Sequence, residues 1–289
     1  MNVQRYIFVI ILLVLRSFLQ VVGSSIIYSD GTDVKNSMVE IHGLEKSDPK
    51  YIICIGVGTC LSVKNYRKLA ERIVSVIPNA LTVILDPNPS GRGFFNRLVY
   101  PGIVKFRASD FASAFCKASS WINSSNYRRK TFEWYVGGHS SSGQGAYSAV
   151  ARQDLKEKIS GYIGLDPCCI FNIANEPLLV SSIIWTTSDP FANCVPSKIA
   201  GAGFHKRILS SAIGKQLQIS HSLFRFTDKS KHCIFADDGC PVFGCTGVAG
   251  SKVTEAHNKV ARSIKDFVTG QIFKSEDYPE VSITTNTVR

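Results

Sequence analysis

From about residue 50 onward, short apolar runs alternate with segments of helical periodicity. YIICIGVG (51–58), ALTVILDPNP (80–89), TFEWYVGG (131–138) and ISGYIGLD (159–166) are dominated by Ile, Val, Leu and aromatic residues, the pattern of strands covered on both faces. LVSSIIWTTSD (179–189) and QLQISHSLFRFT (216–227) supply further strands. Between them, NYRKLAERIVSVI (65–77) sets Tyr66, Leu69, Ile73, Val76 and Ile77 at helical spacing. SDFASAFCKASSWI (109–122) opens on Ser109 as an N-cap and carries Phe111, Phe115, Ala118 and Ile122 on one face. GQGAYSAVARQDL (143–155) reads as a helix that begins in glycines, and EAHNKVARSIKDFVTG (255–270) as a closing helix with a glycine stop. Residues 24 to about 48 and the Ser/Thr-rich tail after Tyr278 carry no such signal. Parallel strands need helical crossovers, so the alternation predicts an α/β three-layer sandwich with a mostly parallel central sheet. Ligands in such folds bind beyond the carboxyl ends of the strands.

The N-terminus changes the picture of where the domain starts. Arg5, an unbroken apolar run from Tyr6 to Leu15, then Arg16 and the small residues Gly23, Ser24 and Ser25 have the layout of a secretory signal peptide over residues 1–23. The run is too short to span a bilayer as a helix and Arg16 would be costly near its centre, although an uncleaved signal anchor is left open. No Pro/Ser/Gly-rich linker divides residues 24–289, which read as a single domain with its core at about 50–270. The expected destination is the secretory pathway, the exterior, or an organelle reached through it.

The chain is 45% hydrophobic and 19% charged, which suits a folded protein rather than a disordered one. Its formal charge of +11 falls to +9 once the leader with its two arginines is removed. The basic residues are spread along the chain and are not interleaved with aromatics, so nucleic acid is not an expected partner; association with an anionic membrane surface stays open. The nine cysteines all follow the leader, and in an oxidising compartment up to four disulfides can form. Cys240 and Cys245, across the Pro/Gly-rich GCPVFGC, are the best local pair. No CxxC pair or Cys/His cluster has zinc spacing, so neither a metal nor another cofactor is expected. Asn123-Ser124-Ser125 is a glycosylation sequon.

The chemistry is concentrated at the strand ends. GGHSSSGQG follows one strand and opens a helix, the context a nucleophile elbow requires. The positions two before and two after the nucleophile must be small to clear the neighbouring strand and helix. Ser140 has Gly138 and Ser142 there, Ser141 has His139, and Ser142 has Gln144, so Ser140 is the candidate nucleophile. A serine needs a base oriented by an acid. Asp166 and Asp189 each end a strand and both are candidate acids. Of six histidines, His232 lies in the loop after the last strand, where a base would hang over the serine. The oxyanion would be held by the backbone N–H of Ser141 and by one from the loop after the first strand, GVGTC, with Thr59 as the candidate.

ALTVILDPNP, DFASAFCKASSWINS, GGHSSSGQGA, GYIGLDPC, NCVP followed by GAGF, and KHCIFADDGCPVFGC together resemble the chlorophyllases and related lipase-like α/β-hydrolases, over roughly residues 50–270. The resemblance implies the α/β-hydrolase fold, with Ser140 as nucleophile, Asp166 rather than Asp189 as acid and His232 as base. It further implies cleavage of an apolar ester, of lipid type or like the phytyl ester of chlorophyll, without a cofactor. Ser142 stands where the family has glycine, Lys231 where glycine precedes the histidine, and Cys233 and Ile234 where Met and Asp follow it. The alternative is a non-catalytic protein that holds a lipid or pigment on the same fold, and the serine at 142 is the feature that favours it.

Overall fold

The apolar run at Tyr51–Gly56 forms a strand whose side chains are buried alternately on its two sides, Ile53 and Ile55 in one hydrophobic cluster and Ile52 and Cys54 in the other. That two-sided burial is why the run shows no polar alternation. This strand is the third of nine that the described residues place in a single sheet. The computed structural model describes residues 26–29, 38–58, 61–87, 108–125, 127, 131–167, 177–187, 201–212, 219–228, 230–237 and 250–288. In chain order the strands are β1 (Ile26–Ser29), β2 (Met38–His42), β3 (Tyr51–Gly56), β4 (Ala80–Asp86), β5 (Glu133–His139), β6 (Ile159–Leu165), β7 (Ser182–Thr186), β8 (Ile219–Phe226) and β9 (Val281–Val288). They lie side by side as β1-β2-β4-β3-β5-β6-β7-β8-β9. Pairings from β4 through β8 are parallel, while β1–β2, β2–β4 and β8–β9 are antiparallel.

Helices cover both faces. On one side α1 (Arg67–Val76) and α5 (Gly250–Val268) bury Leu69, Ala70, Ile73, Val260, Ala261 and Ile264 with Ile53 and Ile55. On the other, α2 (Ala108–Ser124), α3 (Ser141–Ala151) and α4 (Gly201–Ala212) contribute Phe111, Phe115, Ile122, Tyr147 and Ile208 to the cluster around Ile52 and Val136. This is the three-layer α/β sandwich that the alternating pattern predicts.

The differences from the sequence reading have local causes. β2 was not read because Glu40 and His42 interrupt it; both are buried, and Arg67 Nε donates to Glu40 Oε1 at 2.7 Å. Burial alone would raise the Glu40 carboxyl, but His42 and Arg67 hold it below the usual carboxylate range. β9 was not read because it is an edge strand that exposes most of its Ser and Thr side chains. Helix α2 starts at Ala108, so Ser109 lies in the first turn rather than at the cap. Helix α3 runs two residues earlier than expected and stops at Ala151, because Gln153 adopts φ 57° while its N–H bonds Val150 O and the Asp154 N–H bonds Ala149 O. That is a Schellman stop made without glycine, so no sequence signal marks it. At the end of α5 the same motif uses Gly270 at φ 69°, as the sequence indicated.

His221 and His257 are among the buried histidines that set a pH dependence. Burial holds His221 on β8 down to about 4, with His205 a lesser cause, and holds His257 on α5 to about 4, with Lys68 a lesser cause. In the unfolded chain both titrate near 6.5. Below that pH the unfolded state binds protons the folded state refuses, so stability is full above about pH 6.5 and falls as the pH drops toward 4. The expected loss is about 2 kcal/mol per histidine at pH 4.5. Thermal melts between pH 7.5 and 4.5 check it, and a flat melting temperature over that range would refute it.

Candidate active site

The neighbouring parallel strands β5 and β6 end in register, His139 opposite Leu165, so the residues that follow them emerge side by side. Ser140 follows β5 and Asp166 follows β6. The Ser140 N–H donates to Leu165 O at 3.1 Å, and the Asp166 N–H to Trp185 O of β7 at 2.8 Å. Ser140 sits at φ 55°, ψ −124° and immediately precedes α3, whose first turn closes with Gly143 N–H on Ser140 O at 3.0 Å. Such a backbone costs about 1–3 kcal/mol in a non-glycine residue and persists where the surroundings enforce it.

The three serines are not equivalent. Ser141 and Ser142 are helical, and only Ser140 occupies the positive-φ turn. Ser142 is fully buried and its hydroxyl donates to the Val57 carbonyl, in the segment that leaves β3. Room for its side chain comes from the strand opposite: a Cβ on Gly56 would stand 2.6 Å from Ser142 Cβ. The small residue that this crossing requires is therefore on β3, and the turn at Ser140 keeps its conformation with serine at 142.

Asp166 is completely buried and also carries a positive φ, 42°. Its carboxylate accepts Thr186 Oγ1–H on Oδ1 at 3.0 Å, and Thr187 Oγ1–H at 3.0 Å and His232 Nδ1–H at 2.8 Å on Oδ2. His232 opens the 3-10 turn His232–Phe235 after β8. A carboxylate can only accept, so Nδ1 carries the proton and Nε2 is left with its lone pair. The structure thus joins two of the expected residues, Asp166 and His232. No hydrogen bond links Ser140 Oγ to His232, a contact that sites without substrate often leave loose. Thr59 and Asp189 lie outside the described residues, as do Cys240 and Cys245.

Four contributors escaped the sequence reading. Thr186 and Thr187 hold Asp166, and their signal was present as a Thr pair at a strand end. His139, the residue before Ser140, is wholly buried; its ring lies against that of His232 with centroids 4.6 Å apart, and its Nε2–H donates to His232 O at 3.0 Å. Burial first, then the adjacent His232, hold its imidazole well below the ordinary value, so it is neutral. Tyr66, read only as an apolar helix position, hydrogen-bonds His139 Nδ1 at 2.6 Å. Among the described residues no group of three His, Cys, Asp or Glu side chains could hold a metal ion.

No family model and no curated protein matches the sequence. Solved structures do match in shape. An esterase from Thermogutta terrifontis aligns over 86% of this chain and 94% of its own at 12% identity, with a TM-score of 0.57. A carboxylesterase from Lactobacillus plantarum aligns over 86% and 97% at 10% identity, TM-score 0.56. An esterase from Pyrobaculum calidifontis aligns over 85% of both chains at 10% identity, TM-score 0.55. With its mostly parallel sheet and two helical layers, the chain has the α/β-hydrolase fold.

Proposed function

We propose that this protein is a serine hydrolase of apolar carboxylic esters. One observation carries the reading: a buried carboxylate, Asp166, fixes the proton of His232 on Nδ1, beside a serine held in a strained strand-to-helix turn. His232 Nε2 takes the Ser140 proton as Oγ attacks the ester carbonyl. The tetrahedral intermediate collapses, the ester C–O bond breaks and His232 returns the proton to the departing alcohol. Water then attacks the acyl-serine by the same route and releases the acid. The oxyanion is assigned to the N–H of Ser141, at the positive end of α3, and to that of Thr59. The second assignment is supported by the use of the two preceding amides elsewhere, Val57 N–H by Leu85 O at 2.8 Å and Gly58 N–H by Tyr66 Oη at 2.9 Å.

The chlorophyllase-like motifs support an ester with a long apolar alcohol as the substrate class. The binding-protein alternative drew its support from the serine at 142, and that serine is accommodated by Gly56 without displacing the turn. Residues 1–23 lie outside the described residues, and we retain them as a secretory leader. Cys54 and Cys116 are free thiols, whereas Cys233, next to His232, is disulfide-bonded, which suits an oxidising compartment. Among the described residues no helix is long and apolar enough to cross a membrane.

A fluorophosphonate probe tests the reading directly. One label per chain is expected, on the peptide that contains Ser140, with protection by a hydrophobic ester. No labelling, or a label on Ser141 or Ser142, would refute the assignment.

A further inference from the structure

We infer that Tyr66 and His139 are positioning residues that tie the loop leaving β3, at Gly58, to the backbone of the base. The inference rests on the ester-hydrolase reading above. Three hydrogen bonds in series make the connection. Gly58 N–H donates to Tyr66 Oη at 2.9 Å, Tyr66 Oη lies 2.6 Å from His139 Nδ1, and His139 Nε2 lies 3.0 Å from the carbonyl of His232.

Only one arrangement of protons satisfies all three. The His232 carbonyl can only accept, so His139 carries its proton on Nε2 and offers a lone pair at Nδ1. Tyr66 must then donate its single proton to Nδ1, and the amide of Gly58 meets the oxygen from the other side. Every member is therefore directional, and none can be reversed without leaving a buried polar group unpaired. Burial keeps the Tyr66 phenol raised and protonated and keeps His139 neutral, the two states the chain requires.

Shape supports the same assignment. Gly58 has no side chain where a Cβ would stand 2.8 Å from His139 Nδ1, so the imidazole can lie directly against the loop. On its other side the ring packs on His232 at an interplanar angle of 36°. Ser142 adds a parallel tie from the turn to Val57 of the same loop. The residue on the N-terminal side of the nucleophile and the one two places after it thus both grip the segment between β3 and residue 59. The consequence is geometric. Gly58 of the loop and the imidazole of His232 must hold fixed positions relative to Ser140 when charge develops on the substrate, and one buried chain sets the distance between the two.

Tyr66→Phe removes the hydroxyl and leaves the ring in place. With p-nitrophenyl butyrate as substrate, and rates expressed per serine titrated by fluorophosphonate so that unfolded protein does not count, kcat is expected to fall about ten-fold. KM should stay within about two-fold, because the ground-state contacts are untouched. His139→Asn, which cuts the link to His232, should show the same split and serves if Tyr66→Phe does not fold. An unchanged kcat, or a loss confined to KM, overturns the inference while wild-type labelling at Ser140 leaves the hydrolase reading standing. Loss of titratable serine in both variants would assign the pair to folding alone and overturn it as well. A wild-type protein that takes no label overturns both.

Discussion

Replacing Ser140 with alanine is expected to lower ester turnover by about five orders of magnitude. The folded state should change little, by less than about 1 kcal/mol, because among the described residues Ser140 Oγ makes no hydrogen bond and alanine is no less strained at φ 55°. The contrast with the adjacent serines makes the test specific. Ser142→Ala removes a buried donor from the Val57 carbonyl, so it should cost stability and a modest part of the rate, but it leaves the attacking oxygen in place. Ser141→Ala keeps the backbone N–H assigned to the oxyanion. Turnover of p-nitrophenyl butyrate in the three variants, with melting temperatures alongside, checks the order. Full activity in Ser140→Ala together with its loss in either neighbour would move the nucleophile to the other register.

Asp166→Asn is expected to lower kcat by about four orders of magnitude with the fold retained. The size follows from what surrounds the side chain. Thr186, Thr187 and His232 all direct hydrogens at a carboxylate that only accepts. An amide offers one oxygen and one NH2 group, so wherever the NH2 points it meets at least one of those donors. If it faces His232, the imidazole relieves the conflict by moving its proton to Nε2, and the nitrogen assigned to the serine can no longer accept a proton. If it faces Thr186, that hydroxyl must turn away within a buried pocket. Steady-state kinetics combined with the 15N shifts of the His232 ring would detect the change of tautomer. A variant that retained more than about a tenth of the wild-type rate would remove Asp166 from the proposed mechanism.

Much of the sheet was legible because parallel strands covered on both faces leave continuous apolar runs, as at Tyr51–Gly56 and Ala80–Asp86. The turn around Ser140 was legible for a steric reason, since small residues were needed on both sides of it. The strands that went unread lack that signature: β2 buries Glu40 and His42, and β9 shows Ser and Thr to solvent. Spacing alone left Asp166 and Asp189 equivalent, because both end strands; the contact with His232 depends on which strands are neighbours and where β8 returns. His139 and Tyr66 were hidden for the same reason. They are 73 positions apart in the chain, and nothing local to either announces a partner that only the sheet order supplies.

The exchange of size between Ser142 and Gly56 makes the two positions a single mutational unit. An alanine at 56 would collide with Ser142 Cβ, and the Phe111 ring, 3.0 Å from the same point, would have to give as well. A glycine at 142 would free that space but release Val57. Each single substitution is therefore expected to do harm that the pair together would partly undo, the signature of strong energetic coupling between touching residues. The order in which such changes arrive, rather than their separate costs, then decides which variants of this turn can be reached one step at a time.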